Sequence, residues 1–174
     1  TDAARAYLQQ ALEIDHRAVR ATVMLGDIEA ALQHHAEAIE IWQRIEQQNP
    51  HFIPLVAERL LASYRQVGRE NDGINLLQDY LTRHPSLDLM NVLFYAILQR
   101  DGAEAAYNLA RNELQRSPSL LGLDKLLEAR LLEATSENLA DVEMVKNLVH
   151  QRTRPLAMYR CNSCGFKARQ FYWH

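Results

Sequence analysis

The 174 residues, 48% apolar and 24% charged, suit one soluble domain with at most a small appendix, and are enough to bury a substantial core. A net charge of −3 gives no global reason to expect a nucleic-acid or membrane partner, and no apolar run approaches the roughly 18–20 residues of a membrane span. The average conceals an asymmetry: from Met144 onward stand Lys146, Arg152, Arg154, Arg160, Lys167 and Arg169 without an acidic residue, so the rest of the chain is distinctly acidic.

The chain opens at Thr1 directly in a helical pattern (Ala3, Ala4, Tyr7, Leu8, Ala11, Leu12), an opening that suggests a preceding segment. Pro50, Pro85 and Pro118 follow at spacings of 35 and 33 residues, each closing a helix-like stretch. One further period back from Pro50, about 34 residues, lands on His16, the end of the first helix. A period of this size is that of tetratricopeptide repeats, which are expected to carry a small residue, a large apolar residue four later, another three later, and then proline. Before Pro50 these are Ala38, Trp42 and Ile45; before Pro85 they are Gly73, Leu77 and Tyr80. The set before Pro118 is poorer (Ala106, Ala110, Glu113), and the first, truncated unit reads Ala4, Leu8, Ala11, His16. Leu25-Gly26 occupies the leucine–glycine position of a first helix, where the later unit has the bulky pair Phe94-Tyr95. The physical reason is mutual burial. Two antiparallel helices cannot hide their apolar face alone, so neighbouring units stack, and proline stops the second helix.

The resemblance to the tetratricopeptide family covers roughly residues 2–118. A fifth hairpin, 119–134 and 137–151, fits mainly by length and apolar spacing. The predicted fold is therefore all-α, a tetratricopeptide superhelix over residues 1–152 with about four to five hairpins, the first truncated. The repeats hold no phosphate-cradling glycine loop, nucleophile elbow or convergent carboxylate pair, so the chain is expected not to be an enzyme. His34-His35 reads as a solvated turn between helices. Such arrays bind partners in a groove lined by their first helices. The register points Arg20, Val23 and Asp27 into it, then Ala57, Leu61 and Tyr64, then Val92 and Gln99, then Lys125 and Ala129. Arg20, Asp27, Leu61, Tyr64, Gln99 and Lys125 are the candidate partner residues. The largely apolar lining lacks the cationic clamp that holds a C-terminal carboxylate.

After Pro155 the character changes. Cys161-Asn-Ser-Cys164-Gly165-Phe166 is a Cys-x-x-Cys-Gly knuckle for zinc or iron, in which Gly165 permits the turn that aims N–H groups at the thiolates. A redox pair would open a helix inside a strand–helix–strand unit, a context absent here. Two thiolates cannot close a tetrahedral site, so metal in this chain is expected to be weakly held or absent. His174 is a less favoured substitute ligand, because an intact knuckle places the next cysteines beyond it. Residues 156–174 are expected to form the first half of a metal module.

Tyr159-Arg160-Cys161, Cys164-Gly165-Phe166 and Tyr172-Trp173-His174, behind such repeats, resemble the lipopolysaccharide assembly protein B family (LapB, also YciM). The likeness extends more loosely over Gln99-Arg100-Asp101-Gly102, Leu114-Gln115-Arg116 and Pro118. The resemblance implies a truncated rubredoxin-like zinc-ribbon segment at the end of this chain. It also implies a membrane helix before it and a second cysteine pair after it. The implied role is an adaptor on the cytoplasmic face of the bacterial inner membrane. It brings the lipid A pathway deacetylase LpxC to the membrane protease FtsH, and associates with a membrane-embedded lipopolysaccharide sensor. The alternative is a nucleic-acid-binding zinc ribbon joined to a tetratricopeptide array, suggested by basic residues interleaved with Tyr159, Phe166, Phe171, Tyr172 and Trp173. Four of those aromatics are better explained as the small core of the knuckle and the basic residues as its solvated face, and no nucleic-acid partner is expected.

Overall fold

The computed structural model describes residues 2–134, 138–156 and 158–173. Its helices are α1 (Asp2–Ile14), α2 (Val19–Ala31), α3 (His35–Gln43), α4 (Ile45–Gln48), α5 (Ile53–Gln66), α6 (Glu70–Arg83), α7 (Leu87–Asp101), α8 (Ala103–Arg116), α9 (Leu120–Glu133) and α10 (Leu139–Thr153). A 3-10 turn, Pro50–Phe52, precedes α5. Two short strands, β1 (Tyr159–Arg160) and β2 (Lys167–Ala168), pair antiparallel with Tyr159 opposite Ala168. The fold is all-α and tetratricopeptide-like. Helix α2 packs on α3, α5 on α6, α8 on α9 and α9 on α10. The chain forms two compact units, Thr1–Leu89 and Met90–His174, and the cysteine-bearing tail falls in the second.

In the first unit a glycine of one helix meets an aromatic ring of its neighbour at two places. The Trp42 indole of α3 lies over Gly26 of α2, so close that a Cβ there would come within 2.3 Å of Nε1. The indole N–H donates to the Val23 carbonyl at 3.3 Å, which satisfies the polar end of a side chain only 2% exposed. The Tyr64 ring of α5 lies in the same way against Gly73 of α6, where a Cβ would meet it at 2.8 Å. Leu77 and Tyr80 are buried beside them. In the second unit Leu93, Phe94, Ala106, Ala110 and Ala129 are buried. Glu113, at a position where the repeat expects an apolar side chain, instead pairs with Arg116 at 2.8 Å on its own helix.

Two local features depart from the repeat expectation. The helix ending near Pro50 is broken at Arg44, whose N–H donates three residues back to Ile41 at 3.2 Å, tightening the turn between α3 and α4. Gln48 at the end of α4 then reaches His16 O at 2.6 Å and Thr22 Oγ1 at 2.8 Å, tying the displaced turn to the α1–α2 connection. Pro50 opens the following 3-10 turn, where its missing N–H costs nothing, and the Asn49 side chain accepts from the His51 N–H at 3.2 Å. His34, read from sequence as part of a solvated turn, is exposed between α2 and α3 and also makes a contact the sequence did not show. Its Nδ1 stands 2.9 Å from Glu29, a carboxylate 1% exposed that also takes Arg5 Nε of α1 at 2.5 Å. Helix α1 has no fully buried residue of its own; it meets α2 through this ion pair and the half-buried Leu8, Ala11 and Leu12. His35 Nδ1 lies 3.1 Å from the Ser63 hydroxyl.

Candidate functional site

The tail builds a knuckle from local rules. Between β1 and β2 the chain reverses over Cys161–Phe166. The Cys161 N–H donates to Phe166 O at 2.8 Å, and the Gly165 N–H to Cys161 O at 3.0 Å. Gly165 sits at φ +74°, the left-handed region that glycine enters without strain. Inside this turn the backbone N–H groups of Cys164 and then Ser163 point at the Cys161 sulfur and hold its thiol below the ordinary cysteine range. Such donors are what a metal-bound thiolate requires, so the two cysteines fit a metal as one half of a tetrahedral site. Both thiols are free. Among the described residues no group of three or more His, Cys, Asp or Glu is gathered for a metal, and His174 lies outside those residues. Around the knuckle Tyr159 and Phe171 meet edge to face at 5.8 Å, and Phe171 and Trp173 at 5.0 Å, while Phe166 and Tyr172 are largely exposed.

The six candidate groove residues fall into different environments. In the first unit Arg20 is exposed on α2. Asp27 is half-buried and clasped by Arg59 Nη1 at 2.5 Å; burial lifts its pKa, with Arg59 opposing. Leu61 and Tyr64 are corrected by the structure: 3% and 5% exposed, they are packing residues, and the Tyr64 hydroxyl is met by Gln43 Nε2 at 2.8 Å. The Tyr64 ring lies against Gly73 of α6 while its hydroxyl reaches Gln43 of α3.

In the second unit Gln99 is exposed on α7, and Lys125 of α9 stands in a closed polar triangle. Its Nζ donates to the Tyr95 hydroxyl and to Glu128 Oε2, each at 2.7 Å, and that hydroxyl donates to Glu128 Oε1 at 2.7 Å. The ammonium also lies 4.4 Å from the Tyr95 ring centroid. Burial works against the charge on Lys125, but its bonds to Glu128 and Tyr95 outweigh it and raise its pKa. Burial likewise opposes the charge on Glu128, yet Lys125 and Tyr95 hold its carboxyl below the usual range. The i,i+3 spacing of Lys125 and Glu128 was legible in sequence. Tyr95, thirty residues away, carried no signal beyond its bulk.

Asp27 and Lys125, two of the candidate groove residues, are thus already paired within the chain, and among the described residues no nucleophile and base are assembled beside them. Fold and tail together define a helical-repeat scaffold bearing a cysteine knuckle. The chain is homologous along almost its whole length to lipopolysaccharide assembly protein B. It is 30% identical to that protein of Escherichia coli (strain K12) over 99% of this chain and 45% of the relative. It is 22% identical to that of Haemophilus influenzae over 98% of this chain and 43% of the relative. The chain therefore spans less than half the length of these curated relatives. No protein-family model matches it. No helix among the described residues is long and apolar enough to cross a membrane.

Proposed function

We propose that this chain is part of a protein that serves lipopolysaccharide assembly as an adaptor at the cytoplasmic face of the bacterial inner membrane, presenting the deacetylase LpxC to the protease FtsH. The observation that carries the reading is the end-to-end similarity to lipopolysaccharide assembly protein B, which includes the repeats and the tail alike. The architecture is in keeping with it. Stacked hairpins offer extended surface, and among the described residues no acid–base pair or nucleophile is assembled on it, which suits a protein that positions others. The partners, including the lipopolysaccharide sensor, enter through the family resemblance.

In this reading the knuckle is a structural module. Cys161 and Cys164 hold zinc or iron as thiolates, with the N–H groups of Ser163 and Cys164 stabilising the negative charge. The metal supplies a cross-link that orders a segment too short to fold by apolar burial.

The test is a reconstitution of FtsH with LpxC, with and without the full-length protein. The expected result is faster loss of LpxC when all three are present and no change in deacetylase activity when FtsH is omitted. Slower deacetylation without loss of LpxC would mean direct inhibition and would overturn the delivery mechanism.

A further inference from the structure

In the first unit, on the side of α2 where the α1–α2 turn meets the α3–α4 break, a cavity of about 410 Å³ is lined by Leu12, His16, Arg17, Arg44, Gln47 and Gln48. Its size is in the range of small-molecule sites. Among the described residues neither Arg17 nor Arg44 has an ion-pair partner. The neighbouring carboxylate of Asp15 accepts from the Arg17 backbone N–H at 2.9 Å. The lining thus carries two guanidinium groups and an imidazole, with no acid.

A second observation is independent of charge. Gln48 Oε1 is buried and has no hydrogen-bond partner. Its amide cannot simply be turned over, because Nε2 donates to His16 O at 2.6 Å and to Thr22 Oγ1 at 2.8 Å. A buried acceptor without a donor is rare in native proteins and costs free energy until one arrives. An ionised phosphate or carboxylate brings no donor; a hydroxyl does.

We propose that this cavity is a binding site for a phosphomonoester carried on a hydroxylated body, such as a sugar or polyol phosphate. Two guanidinium groups match the double charge of a phosphomonoester and its fork-shaped oxygen geometry better than the single charge of a carboxylate. Gln48 Oε1 is closed off from solvent in this structure, so the Gln48 amide must shift to open it before a hydroxyl of the same ligand can donate to it; Leu12 covers an apolar edge. A soluble sugar phosphate and a phosphorylated lipid headgroup share this chemistry, and the test below distinguishes them.

Calorimetric titration of the 174-residue chain with glucose 1-phosphate, inorganic phosphate and glucose tests the assignment. Saturable binding of glucose 1-phosphate is expected, about tenfold or more tighter than inorganic phosphate, with glucose alone not binding. Arg44→Gln and Arg17→Gln change solvent-facing side chains, so folding should survive, as a thermal melt would verify. Each should weaken glucose 1-phosphate about tenfold or more. Co-sedimentation with vesicles carrying phosphatidylinositol 4-phosphate, reversed by glucose 1-phosphate, assigns the source to a headgroup; binding of the soluble ester without co-sedimentation assigns it to a metabolite. No saturable binding of either phosphate source, or affinity unchanged in both arginine variants, overturns the site. Equal affinity for inorganic phosphate and glucose 1-phosphate overturns the role given to Gln48.

Discussion

Gly26 and Trp42 are a fitted pair: the indole occupies the space a side chain at residue 26 would need, 2.3 Å from where its Cβ would lie. The obstacle is a rigid ring buried on both faces, with Arg59 6.0 Å from its centroid and Asp27 holding Arg59 in turn. In an exposed helix Gly→Ala gains about 1 kcal/mol from propensity alone. Here overpacking reverses the sign. Gly26→Ala is expected to destabilise by about 1–3 kcal/mol, and Trp42→Ala by about 3–5 kcal/mol through the cavity it leaves. Urea melts of the two variants measure both; a Gly26→Ala chain as stable as the parent would show that the indole yields freely.

Tyr80 predicts an alkaline limb. Burial, then the charges of Glu46 and Tyr64, push its phenol from 10.0 up to about 12, against the opposing Arg83. The folded state therefore favours the neutral phenol. That contribution is intact below pH 10, where the phenol is neutral in both states, and is lost as pH rises toward 12. Tyr80→Phe removes the titrating group and keeps the ring. Thermal melts between pH 9 and pH 12 should fall less steeply for Tyr80→Phe than for the parent, and parallel curves would contradict the assignment.

The knuckle prediction concerns metal content. Cys161→Ser with Cys164→Ser removes both thiolates and leaves the Gly165 turn untouched, so the full-length double variant should contain less bound zinc or iron than the parent, by elemental analysis after dialysis. Equal content in the two proteins would show that the pair is not a ligand set.

Much of this molecule was legible before folding was considered. The proline register at residues 50, 85 and 118, the small residues at Gly73 and Ala106, and the burial of Trp42, Leu77 and Tyr80 all follow from local chain chemistry and a repeated apolar spacing. The knuckle was legible for the same reason, since Gly165 and two cysteines act within one turn. Side-chain partnership between helices was not. Glu29 joins Arg5 of one helix to His34 at the start of another, and Tyr95 closes the triangle with Lys125 and Glu128 across thirty residues. Leu61 and Tyr64 occupy a first-helix face that periodicity marks as one stripe, but which part of a stripe faces a neighbour depends on how far the next hairpin wraps it. The break at Arg44 and the unpartnered Gln48 oxygen are equally silent in sequence, because a single 3-10 bond and a buried lone pair leave no pattern in residue order. Spacing reports what one helix prefers. Which charges meet, and which acceptors are left waiting, is settled by elements far apart in the chain coming to rest against each other.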